Sequence, residues 1–236
     1  MGFGFYYFDY TYFIFIVPAL IITMIAQFRV KSTFQKYSRI ATAKNMSGAQ
    51  AADSVARFGG APGVQVQHIP GNLTDNFDPR NNTISLSDNV YGSTTIAAVG
   101  VAAHEAGHAI QNATGYFPNK IRTVLVPVTN IGSRLAMPLV IVGLFLPVQY
   151  DFVVTIGIAL YSFAVLFQLV TLPVEFNASF RAIRALDEAG ILYPDELEGA
   201  KKVLTAAAMT YLAASFTAIM SLLRLLILAG SRRGRD

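Results

Sequence analysis

Three stretches of this chain, residues 10–28, 152–173 and 204–228, are apolar over the length needed to cross a bilayer as a helix. A hydrocarbon core about 30 Å thick takes around 20 such residues. Lipid offers the backbone no hydrogen bonds, so a spanning segment must satisfy its own peptide groups as a helix. Composition agrees: 53% of the 236 residues are hydrophobic and 14% charged, where a soluble domain carries roughly a quarter charged. A fourth stretch, 124–148, is long enough but broken by Asn130, Arg134 and three prolines. It is expected to span while facing other helices rather than lipid. Arg134 and Arg224 are expected to face the bundle or to snorkel to an interface. The fold class is therefore a mainly α membrane protein with about four transmembrane helices.

The N-terminus lacks the basic start and short apolar run of a cleavable signal, and Asp9 interrupts its aromatic lead-in, so the first helix reads as a retained anchor. Tyr6 stands where an acylation motif wants Ser or Thr. Arg29, Lys31, Lys36, Arg39 and Lys44 follow the first helix directly. By the positive-inside rule they place the polar region 29–122 in the cytoplasm, with the N-terminus and the loop around residues 149–151 outside. Arg232, Arg233 and Arg235 oppose that scheme, because four crossings from an outside start leave them outside too. The net charge of +4 reads as a membrane-surface stripe, and no motif or basic aromatic platform points to nucleic acid. With no cysteine in the chain, disulfides, thiolate ligands and a Cys nucleophile are excluded, so any metal site must use His and carboxylates.

Within the polar region, residues 45–58 read as a short helix with Ala49, Ala52, Val55 and Ala56 on its packed side, closed by Gly59 and Gly60. Residues 64–67 and 83–87 alternate as strands do, and 72–82 reads as the loop between them. An exposed edge at 83–87 is expected to pair with an extended substrate through main-chain hydrogen bonds. The next helix is expected from Ser93, a plausible N-cap, to about Gln111, with Gly115 and Pro118 beyond it. A small α+β domain thus interrupts the membrane helices.

That helix contains His104-Glu105-Ala106-Gly107-His108, an HExxH motif. Imidazoles four residues apart project from one face of a helix, one turn apart, and can bind one tetrahedral ion. With three His and five Glu in the chain, chance produces such a motif about once in a thousand sequences of this composition. Imidazole ligands favour zinc over magnesium or calcium, which prefer oxygen shells. A catalytic zinc needs a third protein ligand and an open position. His68 at a strand end is one candidate for it. The other is Glu175, at the end of a predicted membrane helix, where a carboxylate wants a partner; Arg181 and Arg184 are the competing salt-bridge partners.

The motifs together resemble the YugP-like neutral zinc metallopeptidases of bacterial membranes. The resemblance covers nearly the whole chain. It rests on Arg29 to Tyr37, Gly71-Asn72-Leu73-Thr74-Asp75, Asp78-Pro79-Arg80, Leu86-Ser87, Val101-Ala102-Ala103-His104-Glu105, Gly107-His108-Ala109-Ile110-Gln111 and Leu172-Pro173-Val174-Glu175-Phe176-Asn177-Ala178-Ser179. That family looks like a relative of the HtpX-like membrane gluzincins, in which a glutamate on a later helix completes a His, His, Glu site. The resemblance therefore implies Glu175 as the third ligand and a zincin-like cytoplasmic domain. Two positions depart from the pattern: Asn76 stands where the family often has histidine, and Ser179 where gluzincin relatives often have an aspartate that orients an imidazole.

The chain divides on this reading into an anchor (1–28), the zincin-like domain (29–122), a transmembrane pair (123–173), a helix with the third ligand (174–203) and a final transmembrane helix with a basic tail (204–236). The expected chemistry is hydrolysis of peptide bonds of a protein or peptide substrate at the bacterial inner membrane, with the active site on the cytoplasmic side. Zn2+ is the cofactor and Glu105 the proton carrier between water and leaving amine. Asn177, Arg181 and His68 are the candidate oxyanion donors, and Ser179 a candidate orienting partner. The rival reading is a scaffold or transporter with a structural metal. Such a protein tolerates Glu105→Gln and a peptidase does not.

Overall fold

The computed structural model describes residues 10–233; Tyr6, Asp9 and Arg235 lie outside the described residues. One π-helical turn, Tyr12–Ile16, leads into α1 (Val17–Tyr37). Then follow α2 (Gly48–Phe58), β1 (Gln65–His68), β2 (Asn76–Asp78), β3 (Thr83–Leu86) and α3 (Ile96–Ala113). The chain ends in α4 (Phe117–Phe145), α5 (Phe152–Glu188) and α6 (Pro194–Arg233). Among the described residues, four helices have the length and apolarity to cross a membrane. α5 and α6 run on without a break for 37 and 40 residues, about 55 and 60 Å at 1.5 Å per residue, so each is far longer than a hydrocarbon core. Pro173 is inside α5 rather than at its end. The chain forms two compact units.

The first unit comprises residues up to 25, 123–169 and 212 onwards. The inward face of α4 is Thr129, Gly132, Ala136, Val140 and Gly143, a ladder of small residues at helical spacing that lets helix backbones approach, as membrane packing favours. A Cβ on Gly157 of α5 would lie 2.9 Å from the Ala136 carbonyl oxygen, and one on Gly143 would lie 2.6 Å from a Val154 methyl. Val140, Val154, Ile158, Leu225 and Ala229 fill the core beside this contact. This ladder explains a departure from expectation. Asn130 and Arg134 are exposed rather than turned to other helices, because the close contact admits only small side chains. Arg224 does turn inward, with its guanidinium 5.3 Å from the Tyr12 ring.

The second unit, residues 26–122 and 170–211, carries the sheet and the motif helix. The α2 start is fixed by a capping box: Ser47 Oγ accepts from the Gln50 N–H at 3.3 Å, and Gln50 Oε1 accepts from the Ser47 N–H at 2.9 Å. The sheet order is β1-β3-β2, with β1 parallel and β2 antiparallel to β3. The segment expected as a loop, 72–82, therefore contains a strand, and Thr83–Leu86 is the central strand rather than an edge. All four of its residues are buried. Short β2 was hidden because its Asn, Asp and Pro neighbours are turn formers. Asp75 pins the end of the central strand, accepting from the Ser87 N–H at 2.8 Å and from its hydroxyl. α3 begins at N-cap Thr95, two residues after the expected Ser93, with Thr95 Oγ1 accepting from the Ala98 N–H. α2 and α3 pack on each other and on the sheet. Buried glutamate Glu196 ties this unit together, accepting from the backbone N–H groups of Ala43 and Tyr193 at 2.6 and 2.8 Å.

Candidate metal centre

α3 is built for close approach. Ala97, Ala98, Ala102, Ala103, Ala106 and Ala109 are all buried, and Gly107 meets the backbone of α5 at Ala178. This contact brings His104 and His108, one turn apart, to Glu175. His104 Nε2 lies 3.2 Å and His108 Nε2 3.4 Å from the same carboxylate oxygen, Oε2. The two imidazole rings are 4.8 Å apart at their centroids and nearly perpendicular. The other oxygen, Glu175 Oε1, is held by Arg122 Nη1 at 3.1 Å. Glu175 is 1% exposed, a placement that an ionised carboxylate tolerates only with charged or hydrogen-bonding partners.

Each imidazole is anchored through its far nitrogen. His104 Nδ1 is 3.1 Å from Ser179 Oγ, and His108 Nδ1 is 3.1 Å from Gln111 Oε1. Gln111, fully buried, donates through Nε2 to the Val174 carbonyl at 2.7 Å and to Asn177 Oδ1 at 3.0 Å. Asn177 Oδ1 also accepts from Arg181 Nε at 2.8 Å. Glu105 is buried beside the ligands. Burial pushes its carboxyl up to about 7, with His104 opposing the rise and Glu175 and Asp75 adding to it.

The donor set suits a metal ion. Two imidazole nitrogens and one carboxylate oxygen lie within 4.8 Å of one another, the one such group of His and carboxylates among the described residues. Two imidazole nitrogens and one carboxylate oxygen converging on one point match the ligand types of zinc and leave a fourth position open.

The comparisons with known proteins agree with this chemistry. A family model described as "Putative neutral zinc metallopeptidase" matches residues 12–230. The chain belongs to this family. The chain is also similar to "Putative membrane protease YugP" of Bacillus subtilis (strain 168), 41% identical over 220 residues, which are 93% of this chain and 96% of that protein. No solved structure matches the chain.

Membership in a zinc metallopeptidase family implies zinc, and the His104, His108 and Glu175 group is where this chain can hold it. Of the other candidate residues, Ser179 touches His104, Asn177 touches Gln111, and Arg181 touches Asn177. Asn177 turns its oxygen, not its amide, to these neighbours. His68 is elsewhere: its Nε2 is 2.7 Å from Asp88 Oδ1, and its ring packs edge-on to Tyr91. Asn76 donates its side-chain amide to the Thr74 carbonyl. Sequence reasoning missed Arg122 and left Gln111 without a role. Gln111 lies three residues after His108, on the same helix face, which was a legible signal. Arg122 follows a turn and had none.

Proposed function

We propose that this chain is a membrane-embedded, zinc-dependent peptidase that hydrolyses peptide bonds of proteins at or near the membrane, with its zincin-like unit on the cytoplasmic side of the bacterial inner membrane. One observation carries the reading: a carboxylate, Glu105, is buried next to the His104, His108 and Glu175 group without belonging to it. A purely structural metal site has no use for a buried acid of that kind.

His104, His108 and Glu175 would hold the ion. Zinc bound there supplies Lewis-acid polarisation to a peptide carbonyl and to the attacking water. Glu105 takes the water's proton and returns it to the leaving amine, and a carboxyl whose affinity for protons is raised by burial is suited to both transfers near neutral pH. Arg122 keeps one oxygen of Glu175 occupied, so the other alone faces the two histidines. The extended substrate is assigned to β2 rather than to the central strand, because α3 packs on β2 and β3 and β2 has one unpaired edge. An unpaired edge binds backbone without demanding a sequence. The basic residues from Arg29 to Lys44 support the cytoplasmic placement.

The test is zinc content per chain and cleavage of casein or a membrane peptide by protein purified in detergent. Glu105→Gln is expected to keep zinc and lose cleavage, and Glu175→Ala to lose zinc. No cleavage by zinc-loaded wild type returns the chain to the scaffold reading, and full cleavage by Glu105→Gln removes Glu105 as the proton carrier.

A further inference from the structure

We propose that Gln111 is a positioning residue that fixes His108 as the imidazole with its proton on Nδ1, before any metal arrives. The role deepens the peptidase reading, because it concerns how a ligand of that site is prepared. It follows from which groups can donate and which can only accept.

A backbone carbonyl has no proton to give, so the Gln111 atom 2.7 Å from the Val174 oxygen must be the amide nitrogen. A second line reaches the same assignment. The Arg181 guanidinium only donates, so the Asn177 atom 2.8 Å from it must be oxygen. That oxygen, 3.0 Å from Gln111, again demands the amide nitrogen. Both hydrogens of the Gln111 amide are thereby used on α5, and its oxygen is left facing His108 Nδ1 at 3.1 Å. An amide oxygen only accepts, so Nδ1 carries the proton, and in the neutral ring Nε2 is the nitrogen left with its lone pair, 3.4 Å from Glu175 Oε2.

His104 has no such constraint. Its Nδ1 partner is the Ser179 hydroxyl, which can donate or accept, and so suits both a proton on Nε2 directed at Glu175 Oε2 without metal and a proton on Nδ1 when Nε2 is a ligand. The site is thus asymmetric: one imidazole is set by a one-way chain of donors, the other adapts. Gln111 also straps α3 to the peptide unit between Val174 and Glu175, so the second and third ligands share one support. Side chains that fix the tautomer and plane of a ligating histidine typically matter by 10–100-fold in metal affinity.

The experiment uses the full chain in detergent with 15N-labelled histidine rings. The protein has three histidines, so His68→Gln and His104→Gln assign the His108 signals. In metal-free wild type at pH 9, His108 Nδ1 is expected to read as protonated. Gln111→Met has similar length and no hydrogen bonds, and is expected to move the proton to Nε2, where Glu175 accepts it, and to weaken zinc binding about 10–100-fold in chelator competition. An unprotonated Nδ1 in wild type, a measurement that needs no variant, overturns the proposal. So does a Gln111→Met protein, folded by circular dichroism, whose His108 proton stays on Nδ1. If Nδ1 is protonated as expected but wild type takes up no zinc, the peptidase reading fails and the role of Gln111 in setting the tautomer stands.

Discussion

Gly107 of α3 faces Ala178 of α5 so closely that a Cβ on the glycine would lie 2.4 Å from the Ala178 carbonyl oxygen. Neither partner is a side chain that can rotate away, so Gly107→Ala must push two helix backbones apart. The expected cost is about 1–3 kcal/mol, typical of forced overpacking, read as a lower unfolding temperature in detergent. Separating α3 from α5 also separates His104 and His108 from Glu175, so zinc per folded chain should fall. Retention of both stability and zinc by Gly107→Ala contradicts the close crossing.

Arg122 and Glu175 form an ion pair in which the carboxylate is almost wholly shielded and the guanidinium partly exposed. Removing the cation strands a buried charge, which typically costs 3–5 kcal/mol; the partial exposure of Arg122 reduces this to about 2–3 kcal/mol. Arg122→Met is expected to destabilise the metal-free protein by that amount. Saturating zinc, which neutralises the same carboxylate, should recover part of it. The cycle Arg122→Met, Glu175→Gln and the double variant isolates the coupling, and additive effects of the two substitutions would rule out the pair.

Glu105 makes metal-free stability depend on pH. Its carboxyl, at 4.5 when solvated, is raised to about 7 by burial. The folded protein therefore holds a proton that the unfolded chain has already released. This contribution is fully present below pH 4.5, falls as pH rises, and is exhausted once pH has passed through 7. Glu105→Gln keeps the shape without the charge. It should match wild type near pH 4.5 and exceed it above pH 8 by up to about 3 kcal/mol. Chemical denaturation of both proteins across that range, with chelator present, checks the divergence. Parallel curves at every pH remove the buried charge as its cause.

How far the sequence reveals this molecule depends on the kind of signal each part carries. The spanning helices were legible because bilayer thickness demands long apolar runs, and α3 because HExxH sits on a helical period. The helix ends were not. α5 continues through Pro173 to Glu188, since packing around Val174, Ala178 and Ala182, all buried, outweighs the usual reading of proline as a stop. β2 escaped because three residues among turn formers leave no period to detect. The outward position of Asn130 escaped because inward and outward faces of a membrane helix are set by which face is small, not by which is polar. At the site, spacing disclosed His104 and His108, while Glu175 was favoured over His68 by family resemblance. Arg122 depends on the turn between α3 and α4, which no local pattern encodes.

The same reasoning about small residues predicts opposite outcomes at two glycines of the membrane helices. A Cβ on Gly157 of α5 would lie 2.7 Å from a Val140 methyl and 2.9 Å from both the Ala136 oxygen and the Val140 nitrogen, whereas one on Gly230 of α6 meets nothing within 4 Å. Gly157→Ala is expected to cost about 1–3 kcal/mol. Gly230→Ala should be neutral or stabilising by about 0.5–1 kcal/mol, since alanine loses less backbone freedom on entering a helix. Both proteins should keep their zinc content when folded, because neither residue is near the His104, His108 and Glu175 group in sequence or in its compact unit. Thermal unfolding in one detergent at one protein concentration compares them directly. Equal shifts for the two variants would mean that the small-residue contact between α4 and α5 does not hold the membrane unit together.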